Sequence, residues 1–129
     1  PDGYVHSGML AAARWLHEQL GEVLVEAMTR TGAKKLYLVG HSLGGAAAIL
    51  LTCLLLDSAS GPLSRENVHC YAFGPPPLVS SSLLSSLYPD NIDVFVNGPD
   101  VVPRLCYGSA IDLQCLLLAV ARASPRQWM

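Results

Sequence analysis

The chain has 129 residues, enough for one domain, and its composition is unusually apolar. Hydrophobic residues make up 51% and charged residues 14%, against a usual charged share of about 25%, which excludes an intrinsically disordered chain. The formal net charge is -2, so no basic surface can neutralise a phosphate backbone, and nucleic acid is excluded as a partner. Domains this apolar usually bury their strands on both faces, as α/β proteins do, or they contact lipid.

Helices and strands are predicted to alternate along the chain. The predicted helices cover residues 7–30, 46–56, 80–87 and 109–123, and the predicted strands cover residues 35–39, 68–73 and 92–96. Gly32 ends the first helix, and prolines 75–77 end the second strand because they lack the amide proton that a sheet requires. This order predicts an α/β fold with a mostly parallel sheet and crossover helices. The loop 57–62 follows the second helix, and the tail 124–129 is predicted to fray.

Neither end of the chain resembles the boundary of a complete domain. Three parallel strands would leave both edges of the sheet bare and one of its faces poorly covered. The chain begins at Pro1 without an initiator methionine, and it carries no signal peptide. We therefore expect residues 1–129 to form a single partial domain, incomplete at both ends. An intracellular or membrane-associated location is favoured.

One stretch resembles a membrane span. Residues 36–56 contain no Asp, Glu, Lys or Arg, and their number is close to what a bilayer requires. The sequence GHSLGG at residues 40–45 interrupts this stretch, and its glycines predict a turn between two short buried elements. We therefore predict a strand followed by a helix here, rather than a transmembrane helix.

The same turn carries the clearest chemical motif of the chain. The sequence GHSLG at residues 40–44 matches the pattern G-x-S-x-G of a nucleophilic serine, and it joins a predicted strand to a predicted helix. A sharp turn would expose the Ser42 hydroxyl at the carboxyl end of the strand, where open α/β sheets bind their ligands. The amide of Leu43, at the start of the helix, can then face a developing oxyanion.

Glycines on both sides of Ser42 support this interpretation. A tight turn needs small neighbours, and we expect Gly40 and Gly44 to provide that room. Gly45 would add clearance between the helix and the strand. The alternative interpretation is a glycine-rich start of a helix, in which Ser42 is only a capping residue.

A nucleophilic serine needs a base, and the base needs an orienting acid. Asp100 fits this acid because it follows the third predicted strand across a short turn. Other carboxylates are expected to point elsewhere: Asp57, Asp90, Asp93 and Asp112. Asp112 is expected in the first turn of the last helix, where Ser109 would open a loose capping box. The alternative for Asp100 is a structural Asx turn.

The four cysteines are Cys53, Cys70, Cys106 and Cys115, and none of them forms a CxxC pair. None has a His or Cys neighbour at metal-ligand spacing, so neither a metal nor a cofactor is expected. Buried thiols in an apolar fold are the expected state. A disulfide is the alternative, and the sequence selects no pairing for it.

Four segments in a fixed order resemble class 3 lipases, also called fungal-type lipases. The sequence LVGHSLGGA (residues 38–46) is similar to the nucleophile segment of that family, and VHSGM (residues 5–9) is similar to its V-H-x-G motif. The sequence CYAFGPP (residues 70–76) is typical of the sn-1-specific diacylglycerol lipase branch. The sequence NGPDVVPRL (residues 97–105) resembles the segment that carries the triad acid. The resemblance covers residues 4–105.

This resemblance implies an α/β-hydrolase core that hydrolyses carboxylic esters of glycerolipids, with diacylglycerol or monoacylglycerol as substrate. It implies an acyl-enzyme on Ser42, the triad acid at Asp100 and one oxyanion amide at Leu43. The expected partners are the glycerolipid substrate and a lipid interface, and the chemistry needs no metal or cofactor.

The triad histidine that the resemblance requires is absent from this sequence, because it should follow the acid and no histidine follows His69. His69 lies about 13 Å before the carboxyl end of its strand. His41 is expected to pack beneath the turn, His17 to lie on a helix surface, and His6 to have the structural role of its family equivalent. The second oxyanion donor would precede the VHSGM segment. We therefore expect this chain alone to be inactive, or nearly so.

Two other classes of function are kept as alternatives. A non-catalytic pseudo-lipase would keep the fold as an interaction module, and a histidine downstream of the chain would argue against it. An acyltransferase or a peptidase could use the same fold, because a fold does not fix the substrate. A panel of esters, amides and acceptor alcohols would separate these two from an esterase.

Overall fold

The computed structural model describes residues 3–58, 62–84 and 86–122. In chain order, its helices and strands are α1 (Ser7–Thr31), β1 (Leu36–His41), α2 (Leu43–Ser58), β2 (Val68–Phe73), α3 (Ser81–Leu84), β3 (Ile92–Phe95) and α4 (Tyr107–Arg122). Short 3-10 turns at Pro89–Asn91 and Val102–Arg104 precede β3 and α4. Each predicted helix and strand therefore has a counterpart in the structure, although several of their ends differ.

The three strands form one parallel sheet in the order β1-β2-β3. β1 pairs with β2 from Leu36 opposite Val68 to His41 opposite Phe73, and β3 pairs with the other edge of β2. The predicted parallel sheet is thus confirmed. Because all strands run in the same direction, the residues that follow β1, β2 and β3 come together at the carboxyl end of the sheet.

α2 covers one face of this sheet, and α1 packs on α2. The strand side chains under α2 are buried: Leu38, Val68, Cys70 and Ala72. α1 adds Met28 to this core, and Met9 and Ala13 form a smaller cluster with Ala46 and Leu50 of α2. Because α2 contacts the sheet on one side and α1 on another, its sequence is apolar almost all round.

The opposite face of the sheet is covered by none of the described residues. Its side chains alternate with the buried ones, and all are exposed or half-buried: Tyr37, Val39, His41, His69, Tyr71, Phe73, Asp93 and Phe95. Several of these rings contact one another, and the centroids of Phe73 and Phe95 lie 4.9 Å apart. One poorly covered face was predicted for a sheet of three parallel strands, and the structure confirms it.

α1 has nearly the predicted extent, and both of its ends are capped. The His6 side chain accepts a hydrogen bond from the Met9 amide at 3.4 Å, which satisfies one of the amides left open at a helix start. Gly32 adopts the left-handed conformation, with a φ of 68°, and ends the helix as predicted. α3, in contrast, is only a single turn.

Two helix starts differ from the prediction. α2 begins at Leu43, so the glycine-rich turn already forms the first turn of the helix. α4 begins at Tyr107 and is capped by Cys106, whose amide donates to Ser109 Oγ at 2.9 Å. The Ser109 amide in turn donates to Cys106 Sγ at 3.4 Å. The capping box predicted from Ser109 to Asp112 is therefore wrong, because the box lies three residues earlier.

Parts of two predictions concern residues that the structure does not describe. α2 continues to Ser58, so the predicted loop 57–62 begins later, and residues 59–61 lie outside the described chain. The last predicted helical residue, Ala123, and the tail 124–129 also lie outside it. The apolar stretch 36–56 folds as β1 followed by most of α2, and no helix in the described ranges has the length and hydropathy to cross a membrane.

All four cysteines are free; two of them are buried and two are exposed. Cys53 and Cys70 are buried, as predicted, and burial raises the pKa of the Cys53 thiol to about 11. Cys106 and Cys115 are exposed, so the expectation of burial is wrong for them. The reason is that α4 packs closely against no other described element.

Candidate active site

Ser42 lies on a sharp turn between β1 and α2. Its φ is 53°, in the left-handed region that residues other than glycine rarely adopt. The Ser42 amide donates to the carbonyl of Phe73 at 2.9 Å and ties the turn to the end of β2. The Ser42 carbonyl accepts from the amides of Gly45 and Ala46 at 2.9 and 3.2 Å. A strained serine held on both sides in this way is typical of a nucleophile elbow.

Gly40 and Gly45 permit the close approach of β1 and α2. A Cβ on Gly40 would lie 2.3 Å from the carbonyl oxygen of Gly44, much closer than such atoms can approach. A Cβ on Gly45 would lie 3.1 Å from the carbonyl oxygen of Gly40. A Cβ on Gly44 would meet only open space, so the expectation that Gly44 provides room is wrong. The tight contact is made by the carbonyl group of Gly44, and its Cα faces outward.

The amide of Leu43 lies beside Ser42 at the start of α2. In the described ranges, the first amides of this helix that have a backbone acceptor are those of Gly45 and Ala46. The amide groups of Leu43 and Gly44 are thus unpaired among the described residues, at the positive end of a 16-residue helix. An anion that forms next to Ser42 would meet both a free donor and the helix dipole.

Asp100 reaches the same end of the sheet from β3. Its amide donates to the carbonyl of Asn97 at 2.8 Å, which closes the turn after β3. The carboxylate oxygen Oδ1 accepts from the Val102 amide at 3.0 Å, as in an Asx turn. The other oxygen, Oδ2, lies against Gly74, where a Cβ would be only 2.6 Å away. The Asx turn uses Oδ1 alone, so Oδ2 can still accept a hydrogen bond from another group.

The end of β2 links the two candidate side chains. Gly74 directly follows β2, and its amide donates to the carbonyl of Phe95 at the end of β3 at 2.8 Å. The preceding residue, Phe73, accepts the amide of Ser42. The Asp100 carboxylate therefore lies at the end of β2, the strand next to the one that Ser42 follows, and neighbouring strands are about 4.8 Å apart. One imidazole could therefore reach both groups.

None of the four histidines occupies that position. His6 caps α1, His17 Nε2 lies 3.4 Å from the hydroxyl of Ser58, and His69 Nε2 lies 2.9 Å from Asp93 Oδ2. The same contact occupies Asp93, a carboxylate that the sequence analysis excluded as the triad acid. These three histidines are each held away from the serine turn.

His41 precedes Ser42 but does not pack beneath the turn, so that expectation is wrong. It is the last residue of β1, and side chains alternate between the two faces along a strand. His41 therefore points to the uncovered face of the sheet, where it is exposed.

Two residues that contact the Asp100 segment were missed by the sequence analysis. Gly74 has a φ of 53° and leaves space for the carboxylate. The Arg104 guanidinium donates to the carbonyl oxygens of Asp100 and Gly98. A glycine between a strand and a proline run, and an arginine four residues after the acid, were the available signals.

A family model described as Lipase (class 3) matches residues 1–109. The chain is 35% identical to diacylglycerol lipase-beta of Mus musculus over 121 residues, which are 92% of this chain and 17% of that protein. It is 29% identical to diacylglycerol lipase-alpha of Homo sapiens over 128 residues, 94% of this chain and 12% of that protein. The chain thus spans less than a fifth of the length of these relatives.

Solved structures of lipases share the fold. Rhizomucor miehei triacylglyceride lipase matches with a TM-score of 0.73 and 26% identity, over 83% of this chain and 41% of that one. A triacylglycerol lipase whose catalytic centre is formed by a serine protease triad matches with a TM-score of 0.73 and 25% identity, over 85% and 42%. The sheet and helices therefore form part of an α/β-hydrolase core. The resemblance seen in the sequence is confirmed: the chain belongs to the class 3 lipase family, and its relatives include diacylglycerol lipases.

Proposed function

We propose that this chain carries the nucleophile and the triad acid of a carboxylic ester hydrolase of the lipase type that acts on diacylglycerol or monoacylglycerol. The observation that carries the proposal is the geometry at the end of the sheet. The strained Ser42 lies beside the unpaired amide of Leu43, and its own amide is bonded to Phe73, the residue before Gly74. Oδ2 of Asp100 lies against Gly74. Membership of the class 3 lipase family and similarity to diacylglycerol lipases support the reaction and the substrate class.

In the proposed reaction, the hydroxyl oxygen of Ser42 attacks the ester carbonyl carbon while an imidazole takes the hydroxyl proton. The Leu43 amide donates a hydrogen bond to the resulting oxyanion. Collapse of the tetrahedral intermediate breaks the ester C–O bond, and the imidazolium returns its proton to the departing alcohol. Water then attacks the acyl-enzyme by the same route, which releases the fatty acid and restores the serine.

Asp100 acts on the imidazole and not on the substrate. Its Oδ1 is already held by the Val102 amide, so the orientation of the carboxylate is fixed before substrate binds. Its Oδ2 would accept the Nδ1 proton of the imidazole, which selects the tautomer in which Nε2 can take the proton of Ser42. The negative charge also stabilises the imidazolium that forms in each step.

The imidazole itself is none of the four in this sequence. His69 is engaged by Asp93, and His41 points to the uncovered face of the sheet. We therefore place the triad histidine in a part of the protein outside these 129 residues. The 129-residue chain by itself is then inactive, or nearly so, because members of a triad act as a unit.

Exposed apolar side chains around the site fit a lipid substrate. Leu43 next to the serine, Phe73 at the end of β2 and Val101 next to the acid are 61%, 42% and 63% exposed. Each methylene group that an acyl chain buries against such a surface contributes about 0.8 kcal/mol. These side chains would also meet the lipid interface at which the substrate is presented.

The test is a substrate panel on the protein expressed from the complete coding sequence that contains this chain. We expect release of fatty acid from diacylglycerol in mixed micelles, and loss of that release in Ser42→Ala. Preferential cleavage of amides would favour a peptidase, and transfer to an acceptor alcohol in water would favour an acyltransferase. No turnover of any ester would indicate a pseudo-lipase. Each of these three results would overturn the proposal.

A further inference from the structure

We propose that Arg104 is a positioning residue, which fixes the orientation of Asp100 through the main chain and leaves the carboxylate free for the imidazole. The inference rests on the proposed function, since it takes Asp100 as the triad acid. A carboxylate on an exposed loop must be held in a fixed direction if it is to orient a catalytic base.

The guanidinium of Arg104 holds the main chain on both sides of Pro99. Nη1 donates to the carbonyl oxygen of Asp100, and Nη2 donates to the carbonyl oxygen of Gly98 at 3.0 Å. Arginine presents its donors in a rigid planar fork, so two carbonyls bound by one guanidinium are fixed relative to each other. Gly98 has a φ of 30°, a conformation that the fork helps to hold. The direction of the Asp100 side chain is set by this peptide segment.

Arg104 does this without binding the carboxylate. The one ion pair within 4.0 Å in the described part of the chain joins His69 and Asp93, so the guanidinium and the Asp100 carboxylate are not paired. A guanidinium on the carboxylate would compete with the imidazole for its oxygens, because arginine and carboxylate form strong two-point contacts. Binding to carbonyl oxygens gives orientation and keeps Oδ2 available.

The loop that carries Asp100 has little other support. Every hydrogen bond described for residues 97–100 has its partner within residues 97–104. Oδ2 of Asp100 lies against Gly74 at the end of β2. The carbonyl of Arg104 accepts a hydrogen bond from the Ser109 hydroxyl at 2.9 Å, which connects Arg104 to the first turn of α4. Removal of the Arg104 side chain should therefore loosen Asp100 more than any other part of the site.

The first expected effect is on turnover. In Arg104→Met, we expect kcat to fall between about 10- and 100-fold, because a small displacement of a catalytic group has costs of this size. KM should not change, since both hydrogen bonds described for the Arg104 side chain go to main-chain carbonyl oxygens, and neither involves an exposed apolar side chain. Arg104→Lys keeps the charge but not the planar fork, so its kcat should lie between those of Arg104→Met and the wild type.

The second expected effect is on the pH profile of kcat/KM. The triad base works in its neutral form, and a nearby carboxylate raises the pKa of an imidazole because it stabilises the imidazolium. If Asp100 is loosened, that support weakens and the acidic limb of the profile moves to lower pH. Asp100→Asn should move it in the same direction and further. A purely structural loss would lower the whole profile without moving its limb.

The closing experiment is a double-mutant cycle in the complete protein, with wild type, Arg104→Met, Asp100→Asn and the double variant. We expect Arg104→Met to lower kcat in the wild-type background and to have no further effect in the Asp100→Asn background, because it acts through Asp100. Arg65→Met is the matched control, since Arg65 lies over the Tyr88 ring, 4.4 Å from its centroid, and outside the site. Its kcat should not change.

The outcomes separate this inference from the proposed function. An equal loss in both backgrounds, or an unchanged kcat in Arg104→Met while Asp100→Asn is impaired, would overturn the role of Arg104 alone. An unchanged kcat in Asp100→Asn would overturn the triad acid itself. If Arg104→Met fails to fold, the pH profile of Arg104→Lys decides, and an unmoved acidic limb with a wild-type kcat would contradict the inference.

Discussion

The Ser42 turn and the Asp100 loop lie at the same end of the sheet, but they are held by different interactions. The turn is fixed by main-chain packing, with Gly40 against the carbonyl of Gly44 and the buried helix α2 behind it. The loop is exposed and bonded mainly to itself. We infer from this difference that the proposed nucleophile is placed by the folding of the core, and we expect that the proposed acid can be displaced while the core stays folded.

The largest effect is expected in the loop, on activity alone. Asp100→Asn should lower kcat by about 10⁴-fold, since an amide at this position selects the wrong imidazole tautomer. The midpoint of thermal unfolding should stay close to that of the wild type, because the exposed loop contributes little to the core. A large fall in the unfolding midpoint would show that the loop supports the fold, and would contradict the expectation that the loop can move while the core stays folded.

In the turn, Gly40→Ala should damage stability and activity together. The new Cβ would lie 2.3 Å from the carbonyl oxygen of Gly44, so β1 and α2 must move apart. We expect the free energy of unfolding, measured by chemical denaturation, to fall by about 1–3 kcal/mol.

Gly44→Ala is the matched control for that substitution. Its Cβ meets open space, and alanine favours a helix over glycine by about 0.5–1 kcal/mol, so stability should be unchanged or slightly higher. Equal destabilisation by the two substitutions would mean that the close approach of strand and helix is not the constraint.

The reactivity of two cysteines allows the Asp100 loop to be compared with the core without any substitution. Cys106, just after the acid loop, is exposed, and hydrogen bonds from Ser109 lower the pKa of its thiol. Cys53 lies in α2 behind the serine turn, and its thiol pKa of about 11 keeps it protonated at neutral pH. Iodoacetamide at pH 7.5 should therefore alkylate Cys106 well before Cys53, as measured by mass spectrometry. Early alkylation of Cys53 would show that the core opens readily.

The smallest effect is expected at the histidine next to Ser42. His41 points to the uncovered face of the sheet, so His41→Gln should leave kcat for diacylglycerol unchanged. A large fall in kcat, together with loss of the acidic limb of the pH profile, would identify His41 as the base and remove the need for a histidine elsewhere.

The sequence predicted the elements that local patterns define. β2 has the predicted bounds, because a buried apolar strand is followed at once by glycine and three prolines that cannot continue a sheet. The start of α2 was predicted three residues late, since glycines disfavour helices in general. Here the glycines at the start of α2 are held in helical conformation by two interactions. These are the hydrogen bond from Ser42 to Phe73 and the packing of Gly40 against Gly45, and both interactions depend on tertiary structure.

The sequence could name the residues of the candidate site but not their geometry. Ser42, Leu43 and Asp100 could be selected from spacing and resemblance, because the ends of parallel strands meet at one edge. The different contacts of the two oxygens of Asp100 could not be predicted, since they depend on which amide and which glycine lie nearby. The hydrogen bonds from Arg104 to the main chain were missed because the direction of a carbonyl group is not visible in a sequence.

The nucleophile is tested most directly by covalent labelling with a fluorophosphonate, followed by identification of the modified residue by mass spectrometry. In the protein expressed from the complete coding sequence, we predict a single adduct on Ser42 that disappears in Ser42→Ala, and little adduct on the 129-residue chain alone. An adduct on another residue, or labelling of the same strength in Ser42→Ala, would contradict the assignment of Ser42.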